Sequence, residues 1–333
     1  MVPRKYIRFD DCRTPAASPP GSSLKWRDAP YYQPTRELKL VLELAMALGQ
    51  PLIITGPPGS GKTSAAYWAA WRLGLSPKEI IHVQVNSESE ASSLRYQFDA
   101  IGYFREAQVS AARGESEEPS KVPYVMDGPL WRAFQPDPAK SKLGMSSSGG
   151  TNPVNPVVLL FDEIDKAPPQ FPNDLLHELD AFEFDVVELP DPETRQPPLK
   201  VRRSPEREGG FLCVITSNEE RSLPDPFLRR CLHHHLDFDL DILGKAVERR
   251  LGDGNLRLAP NLVSLALERF KELRNVQGLS HRPAYSEFYA WLKALEFSGT
   301  SFETLKVAKL AELHAGTMIK NAADLEVVRQ RYR

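Results

Sequence analysis

Gly56-Pro57-Pro58-Gly59-Ser60-Gly61-Lys62-Thr63 constrains this chain more than any other stretch. It fits the pattern G-x-x-x-x-G-K-[ST]. The apolar run Leu52-Ile53-Ile54 before it reads as a buried strand, and Ser64-Ala65-Ala66 after it opens a helix. In a strand–loop–helix setting, glycines let backbone N–H groups converge on phosphate oxygens, and the helix N-terminus adds partial positive charge. Lys62 would reach the β- and γ-phosphates and the Thr63 hydroxyl would ligate Mg²⁺. Pro57, Pro58, Ser60 and Ser64 complete the cradle. The expected ligand is a nucleoside triphosphate.

The 333 residues are long for one core, so a main domain and a smaller one are expected. A formal charge of −2 gives no overall attraction to nucleic acid or anionic membrane. Cys12, Cys213 and Cys231 are far apart and lack metal spacing, which suits buried free thiols in a reducing cytosol. The start leads into no apolar signal region, and no apolar run approaches the ~18 residues of a membrane span. These features predict a cytoplasmic protein with no membrane partner.

Along the chain, residues 1–30 are rich in Pro, Ser and Arg and read as a flexible arm. Residues 31–240 then carry five apolar strands: Leu52–Thr55, Ile80–Val85, Val157–Phe161, Phe211–Thr216 and Leu232–Phe238. Helical spacing separates them, so the fold class is α/β, an αβα sandwich around a parallel five-stranded sheet. His82 and Gln84 read as ordinary strand residues. Two inserts are expected, about 91–127 and 184–203, the second a long β-hairpin, together with a disordered loop at about 136–156. Residues 241–333 are helical, with stripes at Leu262, Leu265, Ala266, Phe270 and Leu273 and at Ala284, Phe288, Trp291, Leu292 and Leu295. They predict a small all-helical lid domain.

The third strand runs into Asp162-Glu163. At the carboxyl end of a parallel strand beside the first one, this pair would face the ligand crevice. Asp162 can hold Mg²⁺, and Glu163 can orient and deprotonate an attacking water. The fourth strand ends in Thr216-Ser217-Asn218, where Asn218 would hold that water together with Glu163. His233-His234-His235 cannot all ligate one ion, since neighbouring strand residues point to opposite faces.

The Gly56–Thr63 loop, the segment Leu160-Phe161-Asp162-Glu163-Ile164-Asp165-Lys166-Ala167, the Thr216-Ser217-Asn218 strand end and Leu228-Arg229-Arg230-Cys231 together resemble an AAA+ ATPase, a P-loop NTPase. Gly128-Pro129-Leu130-Trp131-Arg132-Ala133, the continuation Lys166-Ala167-Pro168 and the two inserts are similar to the MoxR-like branch. The resemblance covers about residues 31–295. It implies ATP with Mg²⁺ as cofactors, and a homo-oligomeric ring of six. It implies that Arg230 is an arginine finger reaching the γ-phosphate of a neighbouring subunit, worth ~10³–10⁵ in rate. Arg229 is the alternative, as the two would face opposite ways in an extended turn, and a solvated basic pair is the bland reading. Arg282, ahead of Pro283, resembles a lid arginine that contacts the phosphates. Tyr32 and Gln33 match where related chains meet the base.

Three functions follow from these features. The first is an ATPase motor or chaperone that remodels a partner protein, for which the resemblance suggests a von Willebrand A-type partner. The second is a nucleic-acid motor or loader of the restriction or helicase-loader kind, hinted at by Arg202-Arg203 and the basic tail Arg329–Arg333. The third is a slowly hydrolysing, nucleotide-gated scaffold, against which the intact Asp162-Glu163 pair and Arg230 weigh.

Overall fold

The computed structural model describes residues 7–12, 23–114, 117–135, 137, 142, 156–191, 195–309 and 312–332. Most of the loop expected to be disordered, about 136–156, lies outside the described residues, as does much of the N-terminal arm. The chain divides into two compact units. One comprises Met1–Arg27, Arg36–Thr55 and Ala66–His234; the other comprises Asp28–Thr35, Gly56–Ala65 and His235–Arg333.

The first unit is built on a five-stranded sheet of β1 (Leu52–Thr55), β2 (Ile80–Gln84), β5 (Val157–Asp162), β8 (Phe211–Ser217) and β9 (Leu232–His235), in the order β2-β5-β8-β1-β9. The β2–β5, β5–β8 and β8–β1 pairings are parallel. Every residue of β1, β5 and β8 is buried, as unbroken apolar runs require when helices cover both faces. The strand ending in Asp162 was expected beside Leu52–Thr55; β8 lies between them. With seven residues buried on both faces, β8 takes the centre of the sheet. Strand patterns alone do not distinguish one such run from another.

Helix α2 (Arg36–Leu48) buries Leu38, Leu42, Ala45 and Met46. Helix α3 (Lys62–Arg72) is buried on all sides from Ala65 to Trp71, matching its lack of a polar face. Within the segment read as a flexible arm, Phe9 is fully buried with its ring 4.9 Å from Trp68. Helix α1 (Leu24–Asp28) follows, and its Trp26, 2% exposed, meets Tyr67 edge-on at 6.4 Å.

The first insert contains α4 (Ala91–Arg95) and α5 (Ala100–Ala112), the latter set between the antiparallel strands β3 (Tyr96–Phe98) and β4 (Val125–Asp127). Helices α6 (Pro129–Phe134) and α7 (Phe171–Ala181) follow. The second insert is a hairpin, β6 (Glu183–Val186) against β7 (Leu199–Arg202). Helix α8 (Asp225–Leu228) is a short turn ahead of β9.

The second unit is helical from α9 (Leu240–Gly252) through α10 (Pro260–Arg274), α11 (Tyr285–Phe297), α12 (Phe302–Val307) and α13 (Ala322–Arg331). Its core holds Leu262, Ala266, Phe270, Leu273, Phe288, Trp291, Leu292 and Leu295, so both sequence stripes face inward. Phe270 and Phe288 meet at 4.6 Å, each ring contributing about 1.5–3 kcal/mol by burial. Asp239 caps α9 by accepting from the N–H groups of Asp241 and Ile242. Among the described residues, no helix is long and apolar enough to cross a membrane. All three cysteines are free, but only Cys213 is fully buried.

Candidate functional site

Parallel strands bring the carboxyl ends of β1, β5 and β8 to one edge of the sheet. Asp162 ends β5 and is 3% exposed. Its Oδ1 accepts the Thr216 hydroxyl at 2.7 Å, while Lys25 Nζ lies 3.3 Å and His82 Nε2 3.2 Å from Oδ2. A carboxylate removed from water needs such donors and counter-charges. His82 is held in turn by Tyr67, whose oxygen lies 3.0 Å from Nδ1. Burial first, and then the Asp162 charge, push the Tyr67 phenol up, so it stays protonated.

Glu163 turns the chain sharply, with φ 63° and ψ 52°, a left-handed conformation that non-glycine residues seldom adopt. Its N–H donates to Thr216 Oγ1 at 2.9 Å, so one hydroxyl ties both acids to β8. The Glu163 carboxylate accepts from Gln84 Nε2 at 2.9 Å and from Lys166 Nζ at 2.7 Å. That hydrogen bond, ahead of the charge, holds the Lys166 ammonium above its ordinary value.

Asp165, 3% exposed, accepts the backbone N–H groups of Asn218 at 3.2 Å and Glu220 at 3.1 Å, fixing the loop after β8 to the turn carrying Glu163. The Asn218 backbone is thus set beside the turn that carries Glu163, and from β8 itself the Thr216 hydroxyl reaches the acid pair directly. His82 and Gln84 were read as plain strand residues. They bond the two acids because side chains two apart on β2 share a face, and Gln84 is in register with Asp162.

In the second unit, the Gly56–Thr63 loop has φ of 142°, 76° and 97° at its three glycines. A Cβ on Gly59 would stand 2.3 Å from that of Ala284, and one on Gly61 would stand 2.9 Å from the Tyr32 ring. Only glycine serves at either position. Lys62 donates to the carbonyls of Gly56 at 2.7 Å and Pro57 at 2.9 Å, within its own loop. Lys62 and Thr63 begin α3, and the partial positive charge of a helix N-terminus favours an anion.

Tyr32 and Gln33 line a cavity of about 160 Å³ with Tyr31, Gly61, Ser64 and Tyr289. Arg250 crosses its wall between the rings of Tyr31 and Tyr289, at 4.2 and 4.0 Å, and pairs with Asp28 at 2.8 Å. Burial, then Tyr285, pushes the Tyr32 phenol far up. Such an aromatic-walled space with an amide at hand suits a nucleobase.

Arg282 follows a loop clamped by Asp324, which accepts from the N–H groups of Ser280 at 2.8 Å and His281 at 3.0 Å. Arg274 lies over the Phe238 ring at 3.6 Å and donates to the Pro283 carbonyl. Burial first, then the Arg282 charge, lowers its pKa.

Arg229 and Arg230 are exposed and line a surface cleft of about 390 Å³ with Asp225 and Pro226. Arg229 has helical dihedrals, so the expected extended turn is instead the end of α8. Arg230 pairs with Asp180 at 3.1 Å, both side chains about half exposed. Pairs this wet are worth roughly 0–1 kcal/mol, so the contact does not fix the guanidinium.

Asp162 in the first unit and Thr63 in the second each carry a hard oxygen of the kind Mg²⁺ takes, and the Asp162 carboxylate already accommodates positive charge in the form of Lys25. Among the described residues, no cluster of three His, Cys, Asp or Glu is disposed to hold a metal, the His233–His235 tract included. Mg²⁺ would fit such a sparse set, since it usually keeps several waters and takes substrate phosphate oxygens.

Residues 51–231 match the AAA domain of the dynein-related subfamily. Protein CbbQ of Allochromatium vinosum is 38% identical over 63 residues, which is 19% of this chain and 81% of that protein. Among solved structures, C. elegans PCH-2 is 16% identical, covering 92% of this chain and 71% of its own, with a TM-score of 0.39. The FIGL-1 AAA domain in complex with ADP is 14% identical, with coverages of 94% and 86% and a TM-score of 0.40. Domain III of the Thermotoga maritima replication initiation protein DnaA is 14% identical, with coverages of 94% and 97% and a TM-score of 0.41. The assignment rests on the sequence matches rather than on these low scores. The loop motif, the acid pair, the β8 end and Arg230 all fall inside the matched segment, and the chain belongs to the AAA domain family, dynein-related subfamily, as an AAA+ ATPase of the MoxR-like type.

Proposed function

We propose that this ATPase uses hydrolysis to remodel a partner protein, working as a homo-oligomeric ring with six as the expected number. The observation that carries the hydrolytic part is the double hold of Thr216 on Asp162 and on the Glu163 N–H, which fixes two acids of different duty. Lys62 and the N–H groups of Gly56–Thr63, with Ser64, bind the phosphates. Tyr32 and Gln33 meet the base, and Arg282 answers to the phosphates from the lid. Asp162 and Thr63 would hold Mg²⁺, which would neutralise phosphate charge.

Glu163 takes the proton of the attacking water once Gln84 and Lys166 release its carboxylate, and Asn218 helps to hold that water. Arg230 supplies the trans cation, with Arg229 as its alternate. In support of a protein client, α5 of the first insert exposes Ile101 at 75% and Phe104 at 63%. Apolar side chains displayed together on one helix suit a protein contact, a von Willebrand A-type domain being the partner the MoxR-like type suggests. For the nucleic-acid alternative, the hairpin arginines already have partners, though partly exposed ones that they can exchange. Arg202 pairs with Glu183 at 2.9 Å, and Arg203 lies over Phe182 at 3.7 Å.

Glu163→Gln is the test. It should bind ATP as the wild type does, turn over ~10²–10⁴-fold more slowly, and retain its client long enough for capture. Turnover at the wild-type rate would assign the base to another group. Capture of nucleic acid in place of protein would reverse the choice of client.

A further inference from the structure

Lys25 belongs to none of the motifs above, yet its ammonium lies 3.3 Å from the buried carboxylate assigned to Mg²⁺. It reaches there from a segment 137 positions away, held by its neighbour Trp26, which is 2% exposed against Tyr67. Tyr67 contacts His82, and His82 contacts the same Asp162 oxygen that Lys25 does. One short helix thus touches Asp162 directly through a cation and indirectly through an aromatic–imidazole relay.

We propose that Lys25 is a built-in competitor for the metal position on Asp162, and that α1 is a latch which the metal–nucleotide displaces. The inference rests on reading Asp162 as the Mg²⁺ ligand. A buried carboxylate needs counter-charge whether or not a metal is bound. Without metal, Lys25 supplies part of it. A divalent cation sharing Oδ2 with the ammonium would stand close to it, and like charges so close repel. Entry of the metal therefore favours withdrawal of Lys25, while burial of Trp26 opposes it.

The Lys25 side chain is 46% exposed, and pairs of that exposure are worth a small factor, so the latch tunes affinity and does not abolish it. Through linkage, whatever the metal–nucleotide loses in displacing the arm, the arm loses in return. The docked N-terminal segment thereby becomes a reporter of nucleotide state.

Titration with a fluorescent N-methylanthraniloyl-ATP, in EDTA and in Mg²⁺, tests this without reliance on turnover. Lys25→Ala should bind about 2- to 5-fold more tightly than wild type in Mg²⁺ and equally in EDTA. Lys25→Arg should behave as wild type. Hydrogen exchange over residues 23–27 should quicken when Mg²⁺–nucleotide binds to the wild type. Weaker binding by Lys25→Ala would make the lysine a phosphate contact and overturn the latch. Equal binding with unaltered exchange would make it a surface pair without consequence, and would overturn it too. Asp162→Asn in the same titration separates the two readings: if Mg²⁺ enhancement survives there, the metal-ligand assignment has failed, and with it the basis of the latch.

Discussion

Thr216 carries the most consequence for its size. Its hydroxyl donates to Asp162 and accepts from the Glu163 N–H, in a position 1% exposed. Thr216→Val keeps the shape and removes both bonds from a buried site, a loss of about 1–3 kcal/mol. We expect lower stability in a denaturant melt and turnover reduced at least about tenfold with nucleotide binding retained. Unchanged turnover would mean that the acid pair is held by something else. Glycines 59 and 61 were legible from the motif alone, because only a residue without Cβ fits those backbones. Lys25 was not legible, since nothing local links it to an acid 137 positions on.

Among the elements, unbroken apolar runs revealed β1, β5 and β8, and helical stripes revealed α10 and α11. What they withheld was order: β8 sits between β1 and β5, a fact decided by burial of the longest run and not by any one pattern. His82 and Gln84 read as ordinary strand residues because polar residues alternating on a strand normally face solvent. Here that face carries the acids.

The lid loop offers a prediction of its own. Asp324 is 2% exposed; burial pushes its carboxyl up, but the N–H groups of Ser280 and His281 more than offset this and hold it below the usual value. A depressed carboxyl adds stability above its unfolded pKa and loses it as pH falls through the lower folded value. Exchange protection of residues 280–283 should therefore fall as pH drops below about 4, the ordinary carboxylate range. Asp324→Asn should remove that dependence. Protection that ignores pH in the wild type would deny the clamp, and with it the placement of Arg282.

At the scale of the whole molecule, the proposed hydrolysis needs more than one copy of the chain. Arg230, the proposed finger, stands exposed at α8's exit and pairs weakly with Asp180. AAA+ ATPases generally assemble as rings, and a finger acting across the interface makes assembly control hydrolysis. An Arg230→Ala subunit keeps its own cradle but gives its neighbour no cation. A Lys62→Ala subunit lacks the cradle but keeps the finger. Mixing the two is the most direct measurement: each alone should be nearly inactive, ~10³-fold down for Arg230→Ala, and the mixture should recover turnover at interfaces where the finger meets an intact cradle. A mixture as inactive as its parts would contradict catalysis between copies.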